Sequence, residues 1–297
     1  MKIFTYQIFA SVAETGSFKK TAAALNVTPS AVSHAIDNME KELGLPLLIR
    51  NRSEMVLSQA GSELLPMVER LLNEDRQIHT RSAKIAGLAG GTLRIGAISS
   101  VCIAWLPTII RHFKKQYPSV AITIVQGSFK EIEQGVALGR IDLGFSAYPA
   151  HHRLDAAFLI DDEIKCLTPK DFVPKNGHAI SQADLRGQHF ILQRADYDSD
   201  TKVALDELDV KPQAINYSID DQSILAMVEA ELGWGILPDL ALTRLSGEVS
   251  AYPFEQPYFR HLGLLTNPSA ASDPLVQAMK KEILSFTKDF QNKKASK

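Results

Sequence analysis

Apolar side chains in the N-terminal part of the chain recur at intervals of three and four residues, the spacing of one face of a helix. Ile3, Phe4, Ile8, Phe9 and Val12 predict an amphipathic helix over 3–15. Phe18, Ala22 and Leu25 predict a second, short and alanine-rich helix, and Asn26-Val27 forms a tight break after it. Val32, Ile36, Met39 and Leu43 predict a third, which Thr28 or Ser30 can cap by accepting a free backbone N–H, with Pro29 tolerated in its first turn. The opposite face of this helix carries Ser33, His34, Asp37 and Asn38, small polar side chains of the kind that a groove-reading helix turns to base edges. After Gly44 the period changes. Leu45 to Ser58 reads as strand, turn and strand with Arg50 and Arg52 at the turn. The sum is a winged helix-turn-helix over residues 1–61, expected to contact double-stranded DNA. Ser33, His34 and Asn38 are expected near bases, and Thr28, Ser30, Arg50 and Arg52 on phosphates.

Ser62 to Leu88 is a long helical stretch, about 40 Å from end to end. Leu64, Leu71, Ile78 and Ile85 recur every seven residues, Leu57 of the wing stands one interval earlier, and Val68 joins them. Asp75 and Ser82 occupy the other half of the seam, and the flanking face is heavily charged. No globular core is left to bury that stripe, so residues 62–90 read as a linker helix and hinge that pair with a second copy in a homodimer.

Beyond Gly91 the pattern alternates between strands and helices. Strands are expected at 92–97, 120–126 and 140–145, with a helix from Ser100 to Tyr117 and another through Ile132, Val136 and Leu138. This spacing implies parallel βαβ units. The pattern restarts with strands near 164–167, 190–193 and 214–218 and helices near 199–207 and 221–232. A strand at 259–265 and a helix at 273–290, expected to return to the first lobe, complete the chain. The expectation is an α/β domain over 91–297, with one lobe from 91–160 and 267–297 and the other from 161–266.

Composition narrows the function. Of 297 residues, 45% are hydrophobic and 22% charged, the balance of a globular protein. The net charge is −2, so any DNA affinity has to come from local placement, such as Lys19, Lys20, Arg50 and Arg52 doubled in a dimer. The first fifteen residues lack a signal-peptide pattern, and the longest apolar run, Val101 to Ile110, is interrupted by Pro107. A cytoplasmic protein without a membrane partner is expected. Cys102 and Cys166 make no disulfide framework, and His151-His152 have no further ligands nearby in sequence, so neither a metal nor another cofactor is expected.

In an open α/β fold, ligands bind beyond the carboxyl ends of the strands, against helix N-termini. Ile98-Ser99-Ser100 follows the first strand and enters a helix, offering N–H groups and two hydroxyls to a carboxylate. The plainer alternative is that one serine is only a cap. Ser128 ends the second strand at the same edge. Gln193 and Arg194, and Tyr217 and Ser218, follow strand ends of the other lobe, and Arg194 could equally pair with Asp196 or Asp198. Cys102 lies near this cleft, where a packed free thiol is the reading preferred over a sensing one.

Taken together these residues resemble the LysR-type transcriptional regulators. The likeness is carried by Phe9, Gly16-Ser17-Phe18, Ala22-Ala23-Ala24-Leu25, Ser30-Ala31-Val32-Ser33, Glu40, Leu43-Gly44, Arg50 and Ala60-Gly61 in the head. In the second half it is carried by Leu106-Pro107, Leu138-Gly139-Arg140-Ile141-Asp142-Leu143 and Leu232-Gly233-Trp234-Gly235-Ile236-Leu237-Pro238, so that it spans essentially the whole chain. Leu48, Ile49, Asp37 and Asn38 depart from the family pattern, and Glu231 stands where the family commonly has glycine, which bears on the cap of that helix. The resemblance implies a periplasmic-binding-protein-like clamp of two lobes, promoter DNA and a small-molecule effector as partners, and a homotetramer in preference to a homodimer. It also implies that Ser100 contacts the effector. The competing reading is a cytosolic solute-binding sensor, which leaves the helix-turn-helix unexplained. An enzyme is not expected, because the chain carries no phosphate loop, nucleophile elbow or metal-ligand set.

Overall fold

The computed structural model describes residues 1–50, 55–85, 91–150, 154–193, 199–209, 215–216, 221–243 and 249–295. The chain divides into two compact units, Met1–Leu88 with Leu138–Arg140, and Ala89–Ala137 with Ile141–Lys297.

The first unit runs α1 (Ile3–Thr15), α2 (Phe18–Ala24), α3 (Pro29–Leu43), β1 (Leu48–Arg50), β2 (Met55–Leu57) and α4 (Gln59–Ile85). Its apolar faces meet as their spacing requires. Ile8, Phe9, Val12, Ala22, Val32, Ile36 and Met39 share one core with Leu47 ahead of the wing, Leu48 of β1 and Val68 of α4. The break between α2 and α3 is made by Asn26 at φ 54, a left-handed conformation that its short polar side chain tolerates. The Val27 N–H bonds back to the Ala22 carbonyl at 2.9 Å, closing the turn. Thr28 caps α3, its Oγ1 accepting from the Ala31 N–H at 3.2 Å, and Pro29 fills the first turn.

Two contacts aim the wing. Glu40 of α3 accepts the Leu47 and Leu48 N–H groups at 2.6 and 3.1 Å. Ser58 donates to the Pro46 carbonyl at 2.6 Å and accepts the Gly61 N–H at 2.9 Å, which starts α4 at Gln59 instead of the expected Ser62. A Cβ at Gly61 would stand 2.1 Å from the Leu47 carbonyl oxygen, so this crossing requires glycine. Along α4, Leu64 and Val68 pack on the head, whereas Met67, Leu71 and Ile78 are exposed.

The second unit is built on one mixed sheet. It runs β3 (Thr92–Ala97), α5 (Ser99–Ala104), α6 (Leu106–Gln116), β4 (Ala121–Gln126), α7 (Phe129–Ala137), β5 (Leu143–Ala147) and β6 (Asp155–Pro169). It continues with α8 (Gln182–Leu185), β7 (Phe190–Leu192), α9 (Ser199–Glu207), β8 (Ile215–Asn216), α10 (Asp221–Glu229), β9 (Trp234–Pro238), β10 (Val249–Thr266) and α11 (Pro274–Ala295). Among the described residues the strand order is β4-β3-β5-β10-β6-β9-β7-β8. The outer triplets are parallel as expected, β3 with β4 and β5, and β7 with β8 and β9. Between them lie two long antiparallel strands, β6 and β10, that the sequence pattern shows only as the fragments 164–167 and 259–265.

Other expectations are corrected. The helix foreseen from Ser100 to Tyr117 is two helices broken at Trp105, because Pro107 has no N–H with which to continue the bonding of α5. The third strand starts at Leu143 instead of Arg140, and α10 ends at Glu229 instead of 232. Glu231 then takes φ 58. The Glu231 and Leu232 N–H groups bond to the Val228 and Met227 carbonyls, each at 3.0 Å, a left-handed helix end of the kind usually given to glycine. Leu93, Ile95, Trp105, Ile109, Phe145 and Ile132 share a core with Val276, Met279 and Ile283 of α11. Two further cores flank the β7–β9 half, around Ile164, Phe190 and Trp234 and around Ile224, Val228 and Leu237.

Candidate nucleic-acid interface and effector site

Helix α3 separates its two faces cleanly. Val32, Ile36 and Met39 are buried, while Thr28, Ser30, His34, Asp37 and Asn38 are exposed and Ser33 is half-buried. The Asn38 amide nitrogen lies 2.8 Å from His34 Nδ1, one helical turn away. The two side chains form one polar pair on the exposed face. Thr28 Oγ1 and Ser30 Oγ are 3.0 Å apart at the N-terminus of α3. Lys19 and Lys20 of α2 are exposed. Arg50 ends β1 opposite Met55, and Arg52 lies outside the described residues.

In the second unit, Ser99 and Ser100 open α5 and are both buried. The six-residue α5 brings less helix dipole to this point than the expected unbroken helix would, so a ligand here would depend on the two hydroxyls. Ser128 is committed to a cap of α7: it donates to Glu131 Oε2 at 2.8 Å, accepts the Glu131 N–H at 3.3 Å, and its own N–H bonds that carboxylate at 2.7 Å. Gln193 follows β7, and its amide donates to Asp221 at the start of α10. Arg194, Tyr217, Ser218, His151 and His152 lie outside the described residues.

The sequence reading passed over the group that meets Ser100. Arg260 of β10 is fully buried, its Nη2 donating to Ser100 Oγ at 3.0 Å and to Asp162 Oδ2 at 2.7 Å. Asp162 Oδ1 also accepts the Leu240 N–H at 2.9 Å. The Phe129 ring centroid lies 6.0 Å from the guanidinium carbon. A signal for this existed: Arg260 shares alternation parity with buried Leu262 and Leu264, and Asp162 with buried Ile160 and Ile164. Asp142, part of the family motif, holds Arg94 instead of a ligand, accepting its N–H at 2.8 Å.

Cys102 is half-buried with Sγ 3.7 Å from the Ala97 carbonyl, and burial pushes its thiol up to about 11. Burial pushes the Cys166 thiol up as well. Both cysteines are free. Among the described residues no group of three or more His, Cys, Asp or Glu side chains could hold a metal ion, and no helix is long and apolar enough to cross a membrane.

Residues 4–62 match the bacterial regulatory helix-turn-helix protein model of the lysR family, and residues 86–287 match the LysR substrate binding domain. The chain is 32% identical over 282 residues to a probable HTH-type transcriptional regulator, LrrA, of Synechococcus elongatus, covering 94% of this chain and 95% of that one. An uncharacterized HTH-type transcriptional regulator of Bacillus subtilis, YvbU, is 28% identical over 246 residues, 82% of this chain and 83% of its own. Among solved structures, a full-length OxyR variant from Pseudomonas aeruginosa superposes with a TM-score of 0.70 at 19% identity, over 95% of this chain and 94% of that one. That last likeness is one of fold. With a helix-turn-helix head, a two-lobed substrate-binding domain and regulators in place of enzymes as its relatives, the chain belongs to the LysR family of DNA-binding transcriptional regulators.

Proposed function

We propose that this regulator is a cytoplasmic homodimer or homotetramer that holds promoter DNA through paired heads and responds to a small organic anion. The observation that carries the DNA reading is the exposed polar face of α3, with the wing fastened to the same helix by Glu40. Ser33, His34 and Asn38 read bases; Thr28, Ser30, Arg50 and Arg52 hold phosphates. The wing arginines add affinity without sequence preference. Met67, Leu71 and Ile78 along α4 supply the apolar seam for pairing between copies.

The effector lies between a lobe of residues 91–160 and 267–297 and a lobe of 161–266. Ser99 and Ser100 meet its acidic end, Ser128 borders them, and Gln193, Arg194, Tyr217 and Ser218 close from the other lobe. The CbnR structure includes its target DNA, covering 97% of this chain and all of that one at a TM-score of 0.66 and 20% identity, and the proposed DNA partner agrees with it. An effector changes DNA binding only if it prefers one arrangement of the protein over another.

The test is DNA binding against salt. Arg50→Ala is expected to weaken binding to every sequence alike and to lower the slope of log affinity on log salt by about one. A change in sequence preference would sink the assignment of Arg50 to phosphate.

A further inference from the structure

We infer that Arg260 is a positioning residue that makes the Ser100 hydroxyl an obligate hydrogen-bond donor, so that this end of the effector cleft selects an anionic acceptor, a carboxylate by class. The inference rests on the proposed effector site and adds the element that sets its chemistry.

A guanidinium has donors and no acceptor. Its 3.0 Å contact therefore obliges Ser100 Oγ to accept, and the hydroxyl hydrogen must point elsewhere. Among the described residues Ser100 side-chain bonding ends with that contact, although the side chain is 1% exposed. A buried donor is left to be used by whatever enters. The neighbouring positive charge polarises the O–H bond and strengthens it as a donor in surroundings that exclude water. Asp162 faces the guanidinium from β6 as its direct cross-strand partner, and also takes the Leu240 N–H. Its Oδ2 shares Nη2 with Ser100 Oγ while its Oδ1 is held by the Leu240 N–H, and the Phe129 ring closes another side of the guanidinium.

The pair alone does not explain this arrangement. A buried Arg–Asp pair gives little net stability, and a cross-strand pair by itself calls for no contact with α5. The contact to Ser100 turns a cross-strand pair into a charge delivered to a ligand-facing hydroxyl. An ammonium or amide N–H placed there would meet a donor and a cation, whereas a carboxylate oxygen would meet both favourably.

The test uses the full chain and needs no knowledge of the natural effector. In a Cys102→Ser background, the thiol introduced by Ser100→Cys is titrated by its thiolate absorbance; buried Cys166 stays protonated through that range. With Arg260 and Asp162 present, its acid dissociation constant is expected to be about tenfold larger than with Arg260→Gln and Asp162→Asn together, because only the first arrangement places a cation against the sulfur. Arg260→Lys should recover part of the difference. Equal constants in the two proteins would overturn the inference, since a merely structural Arg260 leaves that titration unmoved.

A second arm compares melting of the full chain with benzoate against benzamide and with succinate against succinamide. Acids that stabilise the protein while their amides do not, with the distinction lost in the Arg260→Gln/Asp162→Asn protein, support the selection. Equal stabilisation by acid and amide overturns it. If neither acid moves the transition, the organic-anion reading loses its support, while the thiol titration still decides the role of Arg260.

Discussion

Replacing Arg260 with Met should expose how strongly the centre of the effector unit depends on a charge pair. The substitution leaves Asp162, 1% exposed, with the Leu240 N–H but without its cation. Breaking a buried pair by removing one partner costs about 3–5 kcal/mol, because the surviving charge keeps its desolvation penalty. For a unit of this size each kcal/mol shifts the melting midpoint by roughly 2–4 °C, so Arg260→Met should lower it by about 6–20 °C. Asp162→Leu should cost a similar amount for the mirror reason. The double variant removes both charges and should recover most of the loss, the difference measuring the coupling between the two residues. The two tryptophans of the chain, Trp105 and Trp234, are both buried in this unit and lie in different cores, so fluorescence during urea unfolding follows it inside the intact protein. Additive losses in the double variant would refute the reasoning, since they would mean that the two charges do not meet.

Glu231→Gly should stabilise the protein by about 1 kcal/mol, because glycine adopts the left-handed helix end without the Cβ penalty; an unchanged or lower melting midpoint would count against that strain. Gly61→Ala should cost about 1–3 kcal/mol in the head and reduce DNA affinity, since the obstructing atom is a backbone oxygen. The tryptophan-reported transition of the effector unit should not move, and circular dichroism should show the loss in the helical head. The Cys102 thiol, pushed up to about 11 by burial, should react with a disulfide reagent at pH 8 roughly a hundredfold more slowly than an ordinary thiol, its rate rising with pH up to that value. Fast reaction at neutral pH would contradict a packed structural thiol.

The head was legible because its signals are local. The 3.6-residue period of Val32, Ile36 and Met39, the Thr28 cap and Gly44 at φ 74 all act within a few residues of the backbone they shape. The parallel strands β3 and β4 were legible for the same reason. Strands β6 and β10 were hidden because Asp161, Asp162, Glu163 and Lys165 interrupt the apolar pattern of one, and Pro253, Glu255, Gln256 and Pro257 that of the other. Their identity as long strands comes from pairing across about a hundred residues, which no window along the chain contains. Strand β9 was masked by the helix end before it, where a non-glycine residue carries the turn. Of the candidate effector site, the position of Ser99 and Ser100 at a helix start after the first strand could be read from the sequence. Arg260 could not, although its parity marked it as inward, because a charge at a buried position has meaning only once its partner is known.

The path of the chain through the central strands has a consequence for modular exchange. The backbone leaves the half built on β3, β4 and β5 along β6 and returns to it along β10, and these two strands are neighbours, with Asp161 opposite His261 and Asp162 opposite Arg260. Everything between those positions is a single loop of chain whose two ends are already hydrogen-bonded to each other. A segment cut there and replaced by its counterpart from a related regulator would have both chain connections at one joint, a two-strand register, with the packing of Leu240 in the first core as the further contact to satisfy. The Arg260–Asp162 pair sits on that joint, so a graft that kept it would also keep the geometry offered to Ser100.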